Sequence, residues 1–79
     1  MERTELVNKL TPIFRTVFSN DALVISDELT ANDVENWDSL SHMLLITDIE
    51  SVFSIKFKLK ELNRMRNVGD MIDIIALKL

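Results

Sequence analysis

Ser39 lies in the run Trp37-Asp38-Ser39-Leu40, where Asp38 is a helix-capping residue type followed by a helical apolar pattern. That order puts a serine hydroxyl at the positive end of a helix, a place suited to holding a phosphate. Nothing in the chain is placed to turn this serine into a nucleophile. The single histidine, His42, falls three residues along the same helix rather than on a facing wall. With no cysteine and no Gly-x-Ser-x-Gly elbow, neither a serine hydrolase nor a thiolate metal centre can be assembled. The residues therefore point to a serine that is modified, in a protein that is not an enzyme and has no metal site.

The elements that must position Ser39 follow from composition. Seventy-nine residues, 47% of them hydrophobic and 28% charged, make one small ordered domain over 1–79 with too little core for a deep substrate cavity. The single glycine and single proline leave little room for hairpins, and the apolar residues recur at helical spacing, so the expected class is all-α. The absence of cysteine suits the reducing cytoplasm, no apolar run reaches membrane-spanning length, and the first residues lack a signal-peptide pattern. The expectation is a soluble, cytoplasmic monomer. Net charge is −4 and unevenly spread: eight carboxylates and no Lys or Arg lie between Arg15 and Lys56, followed by Lys56, Lys58, Lys60, Arg64 and Arg66 with Glu61 among them. An acidic middle disfavours nucleic acid and favours basic partners. The basic run reads as a solvated face.

A first helix is expected from about Thr4 to Phe18 with a core stripe of Leu6, Leu10, Ile13, Phe14, Val17 and Phe18. Pro12 either kinks it or starts a second helix capped by Thr11, and the single kinked helix is the expectation. Residues 19 to 38 show no sustained period and read as a long loop pinned by Leu23, Val24, Ile25, Leu29 and Val34, with a capped turn at Thr30 to Asp33. The second helix, Ser39 to about Phe53, is apolar on more than one side. Leu45, Ile49 and Phe53 look like core, which leaves an apolar face for a partner or ligand. An extended connector with Ile55 and Phe57 turned inward leads to a brief helix from Leu59 to Met65, then to a helix capped by Asn67 with Val68, Met71, Ile72, Ile75 and Leu79 on its stripe.

Taken together, Trp37-Asp38-Ser39-Leu40-Ser41-His42, the apolar helix ending Glu50-Ser51-Val52-Phe53, Ile55-Lys56-Phe57 and Asn67-Val68-Gly69-Asp70-Met71-Ile72 resemble a bacterial acyl carrier protein. The likeness covers nearly the whole chain, in order, including the long loop before the serine. It implies a four-helix bundle of three main helices and a short third one. It also implies that Ser39 receives 4′-phosphopantetheine from coenzyme A through a phosphopantetheinyl transferase, and that acyl cargo then rides on the arm as a thioester. Asp38, Leu40, Met43, Leu44, Asp48 and Glu50 stand where the family's motif and partner-recognition positions lie. Acyl ligases, acyltransferases or synthases of lipid, polyketide or other specialised biosynthesis would be the partners.

Departures from the family pattern shape these expectations. Carriers of fatty acid synthesis usually show a second helix rich in glutamate. Here only Asp48 and Glu50 remain, Leu44 stands where a glutamate is usual, and Ser51 and Val52 replace further acids. A specialised, free-standing carrier is expected over the housekeeping one. Asn36-Trp37 occupies the place of the Gly-Gly usual in peptidyl carriers, which favours an acyl over an aminoacyl cargo. Trp37 is expected to anchor the long loop. His42 is expected at the solvated surface rather than on the attached phosphate. Phe53, Ile55 and Ile75 are read as core, or as the lining of an acyl cavity if the chain enters the bundle. The rival reading is an unmodified helical interaction subunit that keeps a carrier-like fold.

Overall fold

The computed structural model describes residues 2–79, and among them the chain forms four helices and no strand. Helix α1 spans Arg3–Val17, α2 Ser39–Phe53, α3 Leu59–Leu62 and α4 Val68–Lys78. The all-α bundle with a short third helix is as expected. Helix α1 packs on both α2 and α4. Its stripe of Leu6, Leu10, Ile13 and Phe14, with Phe18 just past its end, meets Leu45, Ile46, Ile49 and Phe53 of α2 and Val68, Met71, Ile72 and Ile75 of α4 in a single buried core.

Pro12 sits inside α1 without dividing it. Thr11 caps nothing; its hydroxyl donates to the Val7 carbonyl one turn back at 2.8 Å, so the two-helix alternative is not realised. Past the helix, Ser19 takes a left-handed conformation (φ 51°) and the chain enters the long loop. Ile25 and Val34 are its buried anchors, and Leu23 and Leu29 pack partly against the core. Val24, expected as an anchor, is instead 73% exposed, because neighbours in extended chain point to opposite sides and Ile25 takes the inward one. Thr30 to Asp33 makes a turn closed by the Asp33 amide on the Thr30 carbonyl at 3.0 Å, with the Asp33 carboxylate accepting from the Thr30 amide at 3.0 Å.

This loop is tied down at the start of α4, where four amides would otherwise lack partners. Val68 N–H donates to the Leu29 carbonyl at 2.9 Å and Gly69 N–H to the Asp27 carbonyl at 3.0 Å. The Asp70 amide donates to the Asn67 side chain at 2.8 Å, and the Met71 amide to the Asn67 carbonyl at 3.3 Å. Glycine at 69 permits the approach: a Cβ there would lie 3.1 Å from both the Cβ and the carbonyl oxygen of Asp27.

The connector after α2 leaves through Ser54 in a left-handed conformation (φ 55°), with Ile55 buried and Phe57 half-buried, as expected. Helix α3 stops at Leu62, shorter than expected, and the chain continues as turns to Met65. Its amphipathic stretch is too short to sustain regular helical bonding. At the C-terminus, Leu79 is exposed rather than on the core stripe, because α4 ends at Lys78.

Candidate functional site

Ser39 is the first residue of α2 and is exposed. Its position is set by the residues on either side. Asp38 caps the helix by accepting the Ser41 amide on its Oδ1 at 2.9 Å, and the Ser41 hydroxyl accepts the Asp38 amide at 2.8 Å. The Ser41 hydroxyl in turn donates to the Asn36 carbonyl at 2.7 Å, closing the tight left-handed bend at Asn36 (φ 70°). The Ser41 amide holds the Asp38 carboxyl below the usual carboxylate range. The cap thus stays ionised and committed to the helix, while the Ser39 hydroxyl next to it faces outward.

Trp37 anchors the loop, as expected. Its ring meets Phe14 edge-on at 5.7 Å and lies 5.3 Å from Phe18, extending the aromatic core to the edge of the Ser39 site. His42 departs from expectation. It is half-buried rather than solvated, and its Nδ1 accepts the Trp37 indole N–H at 3.1 Å with the two ring planes 19° apart. An indole nitrogen only donates, so His42 is held neutral with its proton on Nε2. Burial lowers its pKa and supports the same state. One imidazole nitrogen is engaged by Trp37 and the other carries hydrogen, so His42 offers no free lone pair to deprotonate Ser39. Ser39 is thus presented to solvent with the histidine of its own helix unavailable to it as a base.

A shallow recess runs alongside Ser39, lined by Ala31, Trp37, Asp38 and His42. It adjoins a second, smaller one in which Trp37 and His42 face Met65, Arg66 and Met71. An exposed Ser39 hydroxyl at a helix N-terminus, beside a recess with polar and apolar walls, fits a phosphodiester-linked organic arm. Phe53, Ile55 and Ile75 are buried in the core and line neither recess.

Along α2 from Ser39, Leu40 (74%), Met43 (53%) and Leu44 (55%) are exposed and form an uncharged apolar face, as the sequence anticipates. Asp48 is also exposed. Glu50, however, is half-buried and turned back: its Oε2 accepts the Phe57 amide at 2.8 Å, fixing the connector to the end of α2. That leaves Asp48 as the exposed acid of α2. Sequence reasoning missed Ser41, whose hydroxyl joins the loop to the helix, although serine three residues after a capping aspartate is the spacing of a capping box. The Trp37 to His42 bond has no comparable signature.

No protein-family model matches the chain, and no curated protein does. Among solved structures, a holo acyl carrier protein from Geobacter metallireducens superposes with a TM-score of 0.87 at 50% identity, over 91% of this chain and 83% of that one.

Proposed function

This chain belongs to the acyl carrier proteins, and we propose that it works in the holo form, with 4′-phosphopantetheine attached through a phosphodiester to the Ser39 hydroxyl. It is a carrier and not an enzyme. The observation that carries the assignment to Ser39 is its placement: an exposed hydroxyl on the first residue of α2, held at the helix N-terminus by the Asp38 and Ser41 cap.

Attachment joins the Ser39 Oγ to the phosphorus bearing pantetheine and breaks the pyrophosphate bond of coenzyme A, releasing adenosine 3′,5′-bisphosphate. The hydroxyl proton passes to a base of the transferase, because His42 has no lone pair to offer. When bound, the arm supplies a terminal thiol for thioester chemistry. The chain's own residues provide the rest. Asp38 and Ser41 fix the helix end, Trp37 anchors the loop on Phe14 and Phe18 beside the recess, and the positive end of α2 favours the phosphodiester charge. Tethering raises the effective concentration of cargo at a docked enzyme to the millimolar range, about that of a short flexible linker.

The partners we propose are a phosphopantetheinyl transferase and the ligase, acyltransferase or synthase enzymes of a specialised pathway, working in the cytoplasm. The support is the face of α2, where Leu40, Met43 and Leu44 are exposed and Asp48 stands as the exposed acid. A partner that reads a dense acidic helix finds little to grip here.

The test is intact mass after incubation with coenzyme A and a broad-specificity phosphopantetheinyl transferase. One arm on the wild type and none on a folded Ser39→Ala variant is the expected result. Unchanged loading of Ser39→Ala would overturn the assignment. No loading of the folded wild type, by this transferase and by the host's own, would favour the unmodified interaction subunit.

A further inference from the structure

His42 is one turn beyond Ser39 on the same face of α2, and both line the same recess. The Trp37 indole fixes the imidazole by occupying Nδ1 at 3.1 Å, which leaves an N–H on Nε2. Nε2 lies across the ring from the bonded nitrogen, and among the described residues no hydrogen bond to the protein uses it. Because no buried side-chain nitrogen is left without a partner among the described residues, this Nε2 is open to the recess, and a tryptophan packed against Phe14 and Phe18 holds its N–H in one tautomer, free to donate to a group placed there.

We propose that His42 binds the phosphodiester on Ser39, donating its Nε2–H to a phosphate oxygen, with Trp37 as the positioning residue that orients the imidazole. This rests on Ser39 being the attachment site. It would give the arm a defined departure direction along the recess, with the phosphodiester held at its root. The charged groups facing His42 are few. Asp38, at the start of α2, has its carboxylate committed to the Ser41 amide, and Arg66, from the link between α3 and α4, lines the adjoining recess. Burial opposes protonation of His42, and a phosphodiester anion favours it. Modification of Ser39 therefore couples to His42 and, through Nδ1, to the loop anchor Trp37: an imidazole that gains a proton on Nδ1 can no longer accept the indole N–H.

The experiment uses apo and holo wild-type protein, with loading at Ser39 verified by mass, and follows the His42 ring by NMR and the phosphodiester by its phosphorus resonance across pH 4 to 8. A phosphodiester has no titration of its own in this range. Three results are expected: a His42 midpoint higher in holo than in apo protein, a phosphorus shift that follows the same midpoint, and loss of that dependence in loaded His42→Phe. Trp37→Phe, which keeps the aromatic packing and removes the N–H, should raise the His42 midpoint in the apo protein and weaken the coupling. A loaded protein whose phosphorus resonance ignores His42 would overturn the inference while leaving the Ser39 assignment intact. An arm found elsewhere would overturn both. The wild-type comparison needs no variant, so a poorly folded mutant cannot obscure the result.

Discussion

Ser39 and Ser41 are two residues apart on one helix, and their surroundings assign them different work. The Ser41 hydroxyl accepts from the Asp38 amide and donates to the Asn36 carbonyl, whereas Ser39 is left exposed beside the recess. Ser41→Ala is expected to lower stability by about 1 kcal/mol through loss of the reciprocal cap and still to accept the arm, measured by denaturant melts and intact mass. Gly69→Ala is expected to destabilise by about 1 kcal/mol, because the gain in helix propensity is smaller than the cost of forcing a Cβ against Asp27. The obstruction is backbone as well as side chain, 3.1 Å away in both cases, so the loop must shift and loosen the amide bonds at Asp27 and Leu29. An unchanged melting midpoint would mean that this loop yields freely. At this scale Ser39 and Asp38 were legible in the sequence because capping is local chemistry. The state of His42 was not, since it depends on an indole whose orientation is set by Phe14 and Phe18 from another element.

Helix α2 begins at Ser39, and its two faces are set by one sequence pattern. Leu45, Ile46, Ile49 and Phe53 are buried, and Leu40, Met43 and Leu44 are turned out. With Glu50 engaged by the Phe57 amide, docking along this helix should rest on apolar contact and respond weakly to salt. Measured with a phosphopantetheinyl transferase, Met43→Ala is expected to raise KM on the order of fivefold, the effect of losing about 1 kcal/mol of apolar contact. Asp48→Asn should change it little. A strong salt dependence together with a large Asp48→Asn effect would contradict the apolar docking. Helix bounds followed closely from apolar spacing and caps for α1, α2 and α4, where periodicity runs for three turns or more. The early end of helix α3 and the exposed Val24 and Leu79 escaped that reasoning because a four-residue helix, an extended loop and a chain end have no sustained period to read.

Across the whole molecule, the loop between α1 and α2 is held at its middle, by Asp27 and Leu29 on the start of α4, and near its end, by Trp37 on the aromatic cluster. Global stability should therefore report on both anchors, and acid should weaken the fold. The folded-state pKa of His42 is lowered, chiefly by burial, so between that value and the ordinary 6.5 the unfolded chain binds more protons. The stability His42 contributes is complete above about 6.5 and is lost as pH falls through its folded value. Asp38, held down chiefly by the Ser41 amide, and Glu61, held down chiefly by Lys78, add losses of the same sign at lower pH. Their stabilisation is present above the unfolded carboxylate range and disappears as pH falls through their lowered values. Thermal melts carried from pH 8 down to about pH 2 should show the midpoint falling in two stages, the upper one, from His42, absent in His42→Phe and the lower one, from Asp38 and Glu61, retained.

The most direct test of a carrier armed at Ser39 is tandem mass spectrometry on loaded wild-type protein, reading which residue keeps the phosphopantetheine mass after fragmentation. The arm on Ser39, with Ser41 and the other hydroxyls unmodified, is the predicted result. An arm on Ser41, or on any residue outside the start of α2, would contradict it.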